Sequence, residues 1–443
     1  MTRWSSLSFG KKLALSALAV VCFNLLAMVT LWFTIGGEDY LEEFKDAISY
    51  KPGEDWEASQ KRRVKEASKA IDKNPRDARA YAKRGEAYIS LDRYEDALED
   101  LDKSISLGRK KPRLYALRAS VESNLEKDDA ALRDYSQAIA LEPGNAEYYD
   151  NRGGFYAARD ELDRAISDYD RAIELSSDPS RSYFNRAGIL RRKGEKIRAL
   201  SDLDKVIEGK PNNYKAEAYE TKMNILVEDK KDAEALKVCD AWIEDRPDDY
   251  AARIGRADIY ARQNKKQEER PDLEEAVKLL GKRIEEDHYA YYLAVRGNLF
   301  SRLGQEENAK KDWRDALAIY LDDESGEPYF GSMQELCRRI GDSKLTASVR
   351  EKEIAYWKKR IEEEPSVADN HVSLIRCLIA SGHIGEAIEA GDAGIRACPT
   401  AGELYFLRSC AERDGGSKEA ARKDLAKARE LGFSEEASID SDG

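Results

Sequence analysis

Histidine is almost missing from this chain: there are three in 443 residues, His288, His371 and His383, and they lack the spacing of metal ligands. No G-x-G-x-x-G or Walker-type phosphate loop, no H-E-x-x-H and no G-x-S-x-G occurs. Carboxylates are so common, 86 in all, that no pair of them singles out a glycosidase or protease site. Catalysis therefore has no candidate residues, and no enzyme activity, cofactor, metal or small-molecule substrate is expected. Glycine (28) and proline (11) are sparse while 36% of residues are charged, which suits helices with solvated outer faces; strands are not expected. Lysine and arginine form no long block beyond mixed runs such as Lys61-Arg62-Arg63, and the net charge is −12, so nucleic acid is not an expected partner. Cysteine is scarce too. Of the six, Cys337, Cys377, Cys398 and Cys410 gather near the C-terminus without C-x-x-C spacing, and an oxidising compartment would allow a disulfide among Cys377, Cys398 and Cys410.

One segment breaks the polar composition: Leu13 to Ile35, 23 residues without a charge. As a helix it spans about 34 Å at about 1.5 Å per residue, enough to cross a hydrocarbon core of about 30 Å. Its apolar stretch exceeds that of a cleaved signal peptide, and no A-x-A site precedes the acidic residues that follow. Arg3, Lys11 and Lys12 lie before it and Glu38, Asp39, Glu42 and Glu43 after it. The positive-inside bias then keeps residues 1–12 cytoplasmic and puts the rest across the membrane, in the manner of a single-pass protein of a bacterial inner membrane facing the periplasm. Asn24, within the span, is read as a tolerated polar residue.

What the chain has in abundance is repetition. Tyr81, Tyr115, Tyr149 and Tyr183 recur every 34 residues, as do Arg84, Arg118, Arg152 and Arg186, and Ala97, Ala131, Ala165 and Ala199. A fixed period of this length marks stacked helical units that bury a core only against their neighbours. Within residues 78–111, apolar or small residues at three-and-four spacing put a buried stripe on each of two helices joined by a short turn near Asp92 and Arg93.

This unit resembles the tetratricopeptide repeat, with its aromatic at position 4, small residue at 8, Tyr at 11, Ala at 20, ring or Leu at 24, small residue at 27 and frequent Pro at 32. Position 4 is filled by Tyr81, Tyr115, Tyr149, Tyr183, Tyr219 and Tyr405; position 8 by Gly85, Ala119, Gly153, Ala187, Ala257 and Gly297; position 32 by Pro143, Pro211, Pro247 and Pro399. Cys239 falls on position 24, where a small buried residue fits. The resemblance implies an all-α, right-handed superhelical solenoid of about nine hairpins after one transmembrane helix. The divisions read from the sequence are a cytoplasmic N-terminus (1–12), the membrane span (13–35), a linker with capping helices (36–77), an array of about seven repeats (78–321), a loop (322–335), divergent repeats (336–433) and a polar tail (434–443). An insertion of about seven residues is read near Lys265 to Pro271.

Beyond the family pattern, Arg stands at position 7 (Arg84, Arg118, Arg152, Arg186, Arg256, Arg296) and Asp at position 23 (Asp100, Asp134, Asp168, Asp202, Asp312). These matched series predict a structural ladder of ion pairs. The resemblance also implies that positions 2, 5, 9, 12 and 13 face a concave, protein-binding groove. Here these include Arg79 and Glu86; Arg113 and Asn124; Asp150; Arg181, Phe184, Arg191 and Arg192; and Glu217 and Glu220. A basic band at Arg181, Arg191 and Arg192 would suit an acidic peptide segment or a C-terminal carboxylate. The Lys and Asn pattern by which some family members clamp a C-terminal carboxylate is not met, since Ala82 and Glu86 stand at positions 5 and 9. The function expected is a membrane-anchored scaffold or adaptor binding proteins or peptides, in envelope assembly, secretion or chaperoning; the alternative is an accessory or regulatory subunit of a membrane-associated enzyme complex.

Overall fold

The computed structural model describes residues 56–287, 289–322 and 329–433. The expected membrane helix, the residues before it and the polar tail lie outside the described residues, as does the part of the linker ahead of residue 56. Among the described residues no helix is long and apolar enough to cross a membrane.

The described residues form 21 α-helices and no strand. The chain divides into two compact units at Ala218 and Tyr219. The first contains α1 (Trp56–Lys73), α2 (Ala78–Ile89), α3 (Tyr94–Ser106), α4 (Pro112–Asn124), α5 (Asp128–Leu141), α6 (Ala146–Ala158), α7 (Leu162–Leu175), α8 (Ser180–Arg192) and α9 (Lys196–Glu208). The boundary falls within α10 (Lys215–Glu228). The second unit continues with α11 (Asp232–Asp245), α12 (Tyr250–Arg262), α13 (Lys266–Glu286), α14 (Ala290–Arg302), α15 (Glu306–Asp322), α16 (Phe330–Ile340), α17 (Ser343–Glu363), α18 (Ala368–Ala380), α19 (Ile384–Ala397), α20 (Gly402–Asp414) and α21 (Lys418–Glu430).

Local chemistry sets the hairpins. Asp77, Asn145 and Asp249 stand one residue before a first helix and accept from the exposed N–H groups of its first turn. The turn inside each hairpin puts one residue in the left-handed region: Asp92, Glu126, Asp160, Lys230 and Asn264 do so with φ between 55° and 60°, and Gly194, Gly304, Gly382 and Gly416 fill the same place elsewhere. The next N–H then reaches back five residues, as Arg93 N does to the Tyr88 carbonyl at 2.9 Å, closing the orphaned carbonyls of the helix end.

Packing follows the repeat. Ala97, Ala131, Ala165, Ala199, Ala235, Ala309 and Ala387 are wholly buried, where only a methyl group fits between paired helices. A Cβ on Gly297 would lie 2.5 Å from Nε1 of Trp313, and one on Gly153 would lie 2.9 Å from Cε1 of Tyr169, so the small residue at position 8 makes room for the ring at position 24. Within the first unit the first helices also touch in succession, α2 on α4, α4 on α6 and α6 on α8, forming one layer.

Two boundaries differ from the sequence reading. The expected insertion at Lys265–Pro271 is not a loop: α13 starts at Lys266 and runs through Pro271, and Asp272, Leu273 and Ala276 keep repeat register, so the extra residues lengthen the end of that helix. The break expected over 322–335 is shorter, because α16 begins at Phe330, where Phe330, Met333, Leu336, Cys337 and Ile340 form a buried stripe. The cap ahead of the array contains one helix within the described residues, α1, and it packs on α2 in the place of a second helix. Cys377 and Cys398 are both free thiols, so no bond joins any two of Cys377, Cys398 and Cys410.

Candidate functional site: the inner groove of the first unit

Two arrangements of side chains stand out, one holding the hairpins together and one lining the layer of first helices.

The first is the arginine ladder. In seven hairpins the arginine at position 7 places Nε and Nη2 between 2.5 and 3.0 Å from the two carboxylate oxygens of an aspartate 16 residues later. The pairs are Arg84 with Asp100, Arg118 with Asp134, Arg152 with Asp168, Arg186 with Asp202, Arg256 with Asp272, Arg296 with Asp312 and Arg408 with Asp424. Asp272 and Asp424 escaped the sequence reading, the first because of the misplaced insertion. A second arm was also not foreseen. Nη1 turns to a residue 16 positions earlier, on the preceding hairpin: Asp102 for Arg118 and Asp240 for Arg256, both at 2.6 Å, with Asp170 for Arg186 and Asp392 for Arg408. Ser68 and Ser136 take that place for Arg84 and Arg152, at 3.0 and 3.3 Å. One planar guanidinium therefore clamps its own hairpin bidentately and ties it to the one before. The hydrogen bond to Asp134 drives the Arg118 pKa up against the opposing effect of burial.

Two hairpins add a third carboxyl to this arrangement. Position 11 carries Tyr88 and Tyr156 in the first and third units but Glu122 in the second. Glu122 is 8% exposed, its Oε2 has no hydrogen-bond partner, and burial first, then Asp134, pushes its pKa up to about 7. Glu412 repeats the situation beside Arg408: its Oε2 is unpartnered, and burial followed by Asp424 raises its pKa.

The second arrangement is a cavity of about 510 Å³ on the first helices α4, α6 and α8. Arg113, Ser120 and Asn124 line it from α4, Asp150 and Asn151 from α6, and Arg181 and Asn185 from α8, beside the rings of Tyr135, Tyr148 and Phe155. Asp150 is its fixed point. Only 5% exposed, it accepts from Nε of Arg181 and from Asn185 Nδ2 at 3.4 Å, and its Oδ1 has no donor. Arg181 also donates to Asn151 Oδ1 at 3.3 Å. Arg113 is held at the rim by Glu86, 3.1 Å away. Burial pushes the Tyr135 and Tyr148 phenols up to about 12, so near neutral pH they are uncharged hydrogen-bonding groups. The cavity thus offers fixed polar groups around apolar rings, a combination suited to gripping a chain rather than transforming it.

Of the groove positions read from the sequence, the structure brings Arg113, Asn124, Asp150 and Arg181 into this cavity. Glu86 stands behind its rim through Arg113. The others are elsewhere: Arg79 is half-buried near the start of α2, Phe184 stacks on Tyr214 with ring centroids 5.7 Å apart, Arg191 is exposed at the end of α8, and Glu217 and Glu220 are exposed on α10. The basic band is in large part an internal ion-pair set. Arg181 is engaged by Asp150, and Arg192 donates to Asp160 Oδ1 at 2.9 Å and to the Ala157 carbonyl at 3.0 Å. Arg181 and Arg192 each find a carboxylate on the neighbouring hairpin, an arrangement that the stacking offset creates and that residue spacing alone does not display.

Stacked helical hairpins with their first helices in one layer define a helical-repeat protein as the class. A family profile described as tetratricopeptide repeat matches residues 78–110, and another of the same description matches 117–180 and 226–283. The chain carries tetratricopeptide repeats. Comparison with curated proteins finds no match. Among solved structures the chain is similar to pilF of Pseudomonas aeruginosa, with 17% identity over 46% of this chain and 94% of that one and a TM-score of 0.38. It is also similar to a tetratricopeptide repeat protein from Parabacteroides merdae, with 18% identity, coverage of 60% and 99%, and a TM-score of 0.38. YrrB, described as a TPR protein with an unusual peptide-binding site, is 22% identical over 42% of this chain and 93% of its own, with a TM-score of 0.28. Likenesses at these levels say nothing about what this chain binds.

Proposed function

We propose that the protein is a membrane-anchored scaffold that holds an extended peptide segment of a partner protein in the α4–α6–α8 cavity, without chemistry of its own. The observation that carries this reading is the cavity's position: it opens on the first helices of three consecutive repeats and gathers four of the side chains assigned to the groove, Arg113, Asn124, Asp150 and Arg181. Those groups are held in place before any partner arrives, by Asp150 with Arg181 and by Glu86 with Arg113. Preorganisation of this kind lowers the ordering cost of binding. The anchor reading rests on the uncharged run Leu13–Ile35, and the charges flanking it favour a cytoplasmic N-terminus with the repeats on the other side. Such a placement suits a role in envelope assembly, secretion or chaperoning.

The test is photo-crosslinking in the native membrane, with a crosslinking residue at Ser120 or Asn124 and a control at Arg171, an exposed residue of the second helix α7. Protein adducts from the groove positions and none from the control are expected, and Ser120→Trp should block capture through Asn124. Equal labelling from both helices refutes the groove. Extraction of the full chain by alkaline carbonate refutes the anchor while leaving the groove untouched.

A further inference from the structure

The second unit carries a surface that neither the ladder nor the groove explains. Six tyrosines gather where the loops between hairpins meet the starts of α12 and α14 and the end of α15. The Tyr292 ring has Tyr250, Tyr289 and Tyr291 around it, with centroids 6.1, 6.0 and 5.8 Å away, and Tyr320 lies 5.3 Å from Tyr329. Burial, and then Tyr291 and Tyr292, pushes the Tyr250 phenol up; burial, then Tyr329 and Tyr291, does the same to Tyr320, so the two groups adjoin. Tyr250, Tyr292 and Tyr320 are half-buried, and Tyr292 and Tyr320 pack against one buried cluster. The other three face water: Tyr289, Tyr291 and Tyr329 are 63%, 57% and 58% exposed.

Among the described residues, three of the seven large apolar or aromatic side chains left most exposed thus belong to this one place. Rigid, partly supported rings with free outer faces are what interface hot spots are made of. The surrounding charge is mainly negative. Asp248, Glu285, Glu286, Asp287 and Asp322 are exposed carboxylates in the segments that carry these rings. Arg246 pairs with Asp249 at 3.4 Å and Arg283 with Glu286 at 3.6 Å; Lys282 and Lys352, whose Nζ donates to the Leu321 carbonyl at 3.1 Å, are further cations, and Asp248, Glu285, Asp287 and Asp322 outnumber them. Ring faces attract cations, and a carboxylate rim strengthens that preference while repelling acidic chains.

We propose that this tyrosine patch is a second docking surface, for an extended arginine-rich segment of a partner protein. Guanidinium groups stack on the outer rings while the rim carboxylates accept their N–H groups. The surface is separate from the cavity of the first unit, so either can fail without the other.

The test is fluorescence anisotropy of the purified full-length protein with a labelled twelve-residue peptide alternating Arg and Ser, and with its Glu counterpart. The Arg peptide should bind with a strong salt dependence and the Glu peptide should not. Replacing Tyr289, Tyr291 and Tyr329 together with alanine should weaken binding by roughly 5- to 30-fold, while the phenylalanine versions, which keep the ring faces, should bind nearly as the wild type does. The groove variant Ser120→Trp should leave binding of the Arg peptide unchanged. Absence of Arg-peptide binding, equal binding by the alanine variant, or equal binding of the Glu peptide overturns the proposal. So does sedimentation showing that the patch joins two copies of this chain, separated by the same alanine variant.

Discussion

Replacing Glu122 with glutamine should make the protein more stable at pH 8 and leave it nearly unchanged at pH 5. In the folded chain this carboxyl is 8% exposed, has one oxygen without a partner, and stands near Asp134 and Asp102; of the two guanidinium groups that oppose the shift, Arg118 is already bound to both aspartates and Arg133 contributes less. Its pKa moves from 4.5 to about 7, with burial the leading cause and Asp134 the next. At about 1.4 kcal/mol per pKa unit the shift corresponds to an upper bound of about 3.4 kcal/mol. Asp102 is 56% exposed, so water screens that side and brings the effect to the order of 2 kcal/mol. The sign follows from proton counting. Between pH 4.5 and 7 the folded chain holds a proton at Glu122 that the unfolded chain has released, so stability falls as pH rises through this window. The stabilising neutral form is complete below the unfolded pKa and lost above the folded one. Glutamine is neutral at every pH and removes the loss. Thermal unfolding at pH 5, 6, 7 and 8 should show the Glu122→Gln variant level with the wild type at pH 5 and about 4 °C above it at pH 8. Both proteins should keep a smaller slope in the same direction from Glu412. A gap in melting temperature that is the same at pH 5 and pH 8 would refute the burial of an ionising group at this position.

Two further outcomes test the scaffold. Asp168→Ala leaves Arg152 with only Ser136 Oγ at 3.3 Å and should cost about 3–5 kcal/mol, whereas Asp170→Ala removes a partner that is 47% exposed and should cost under about 1 kcal/mol; urea titrations that rank them the other way would discard the two-armed ladder. Gly297→Ala forces a methyl group against Trp313 and should cost about 1–3 kcal/mol, while Gly188→Ala, with nothing within 4 Å, should stabilise its helix by about 0.5–1 kcal/mol; melting curves distinguish the two.

Much of the scaffold was legible in the residues themselves. A period of 34 places Tyr, Arg and Ala at fixed steps along two helices, and steps along a helix translate directly into which face a side chain occupies. The all-helical fold, the buried alanines and the first arm of the ladder follow, because each depends on contacts within one hairpin. The sequence fell short wherever a contact crosses from one hairpin to the next. The second arm of the ladder, to Asp102, Asp170, Asp240 and Asp392, depends on how far one hairpin is displaced along another. The same displacement decides that Arg181 and Arg192 face Asp150 and Asp160 and not an acidic partner, that Glu122 is buried beside two carboxylates, and that Asn124, Asp150 and Arg181 share one cavity while Phe184 stacks elsewhere. Periodicity fixed the hairpin as a unit, since its buried stripe is written in local spacing; the pairing of charges and the site they frame were decided by stacking, since long polar side chains take whichever partner tertiary packing brings within reach.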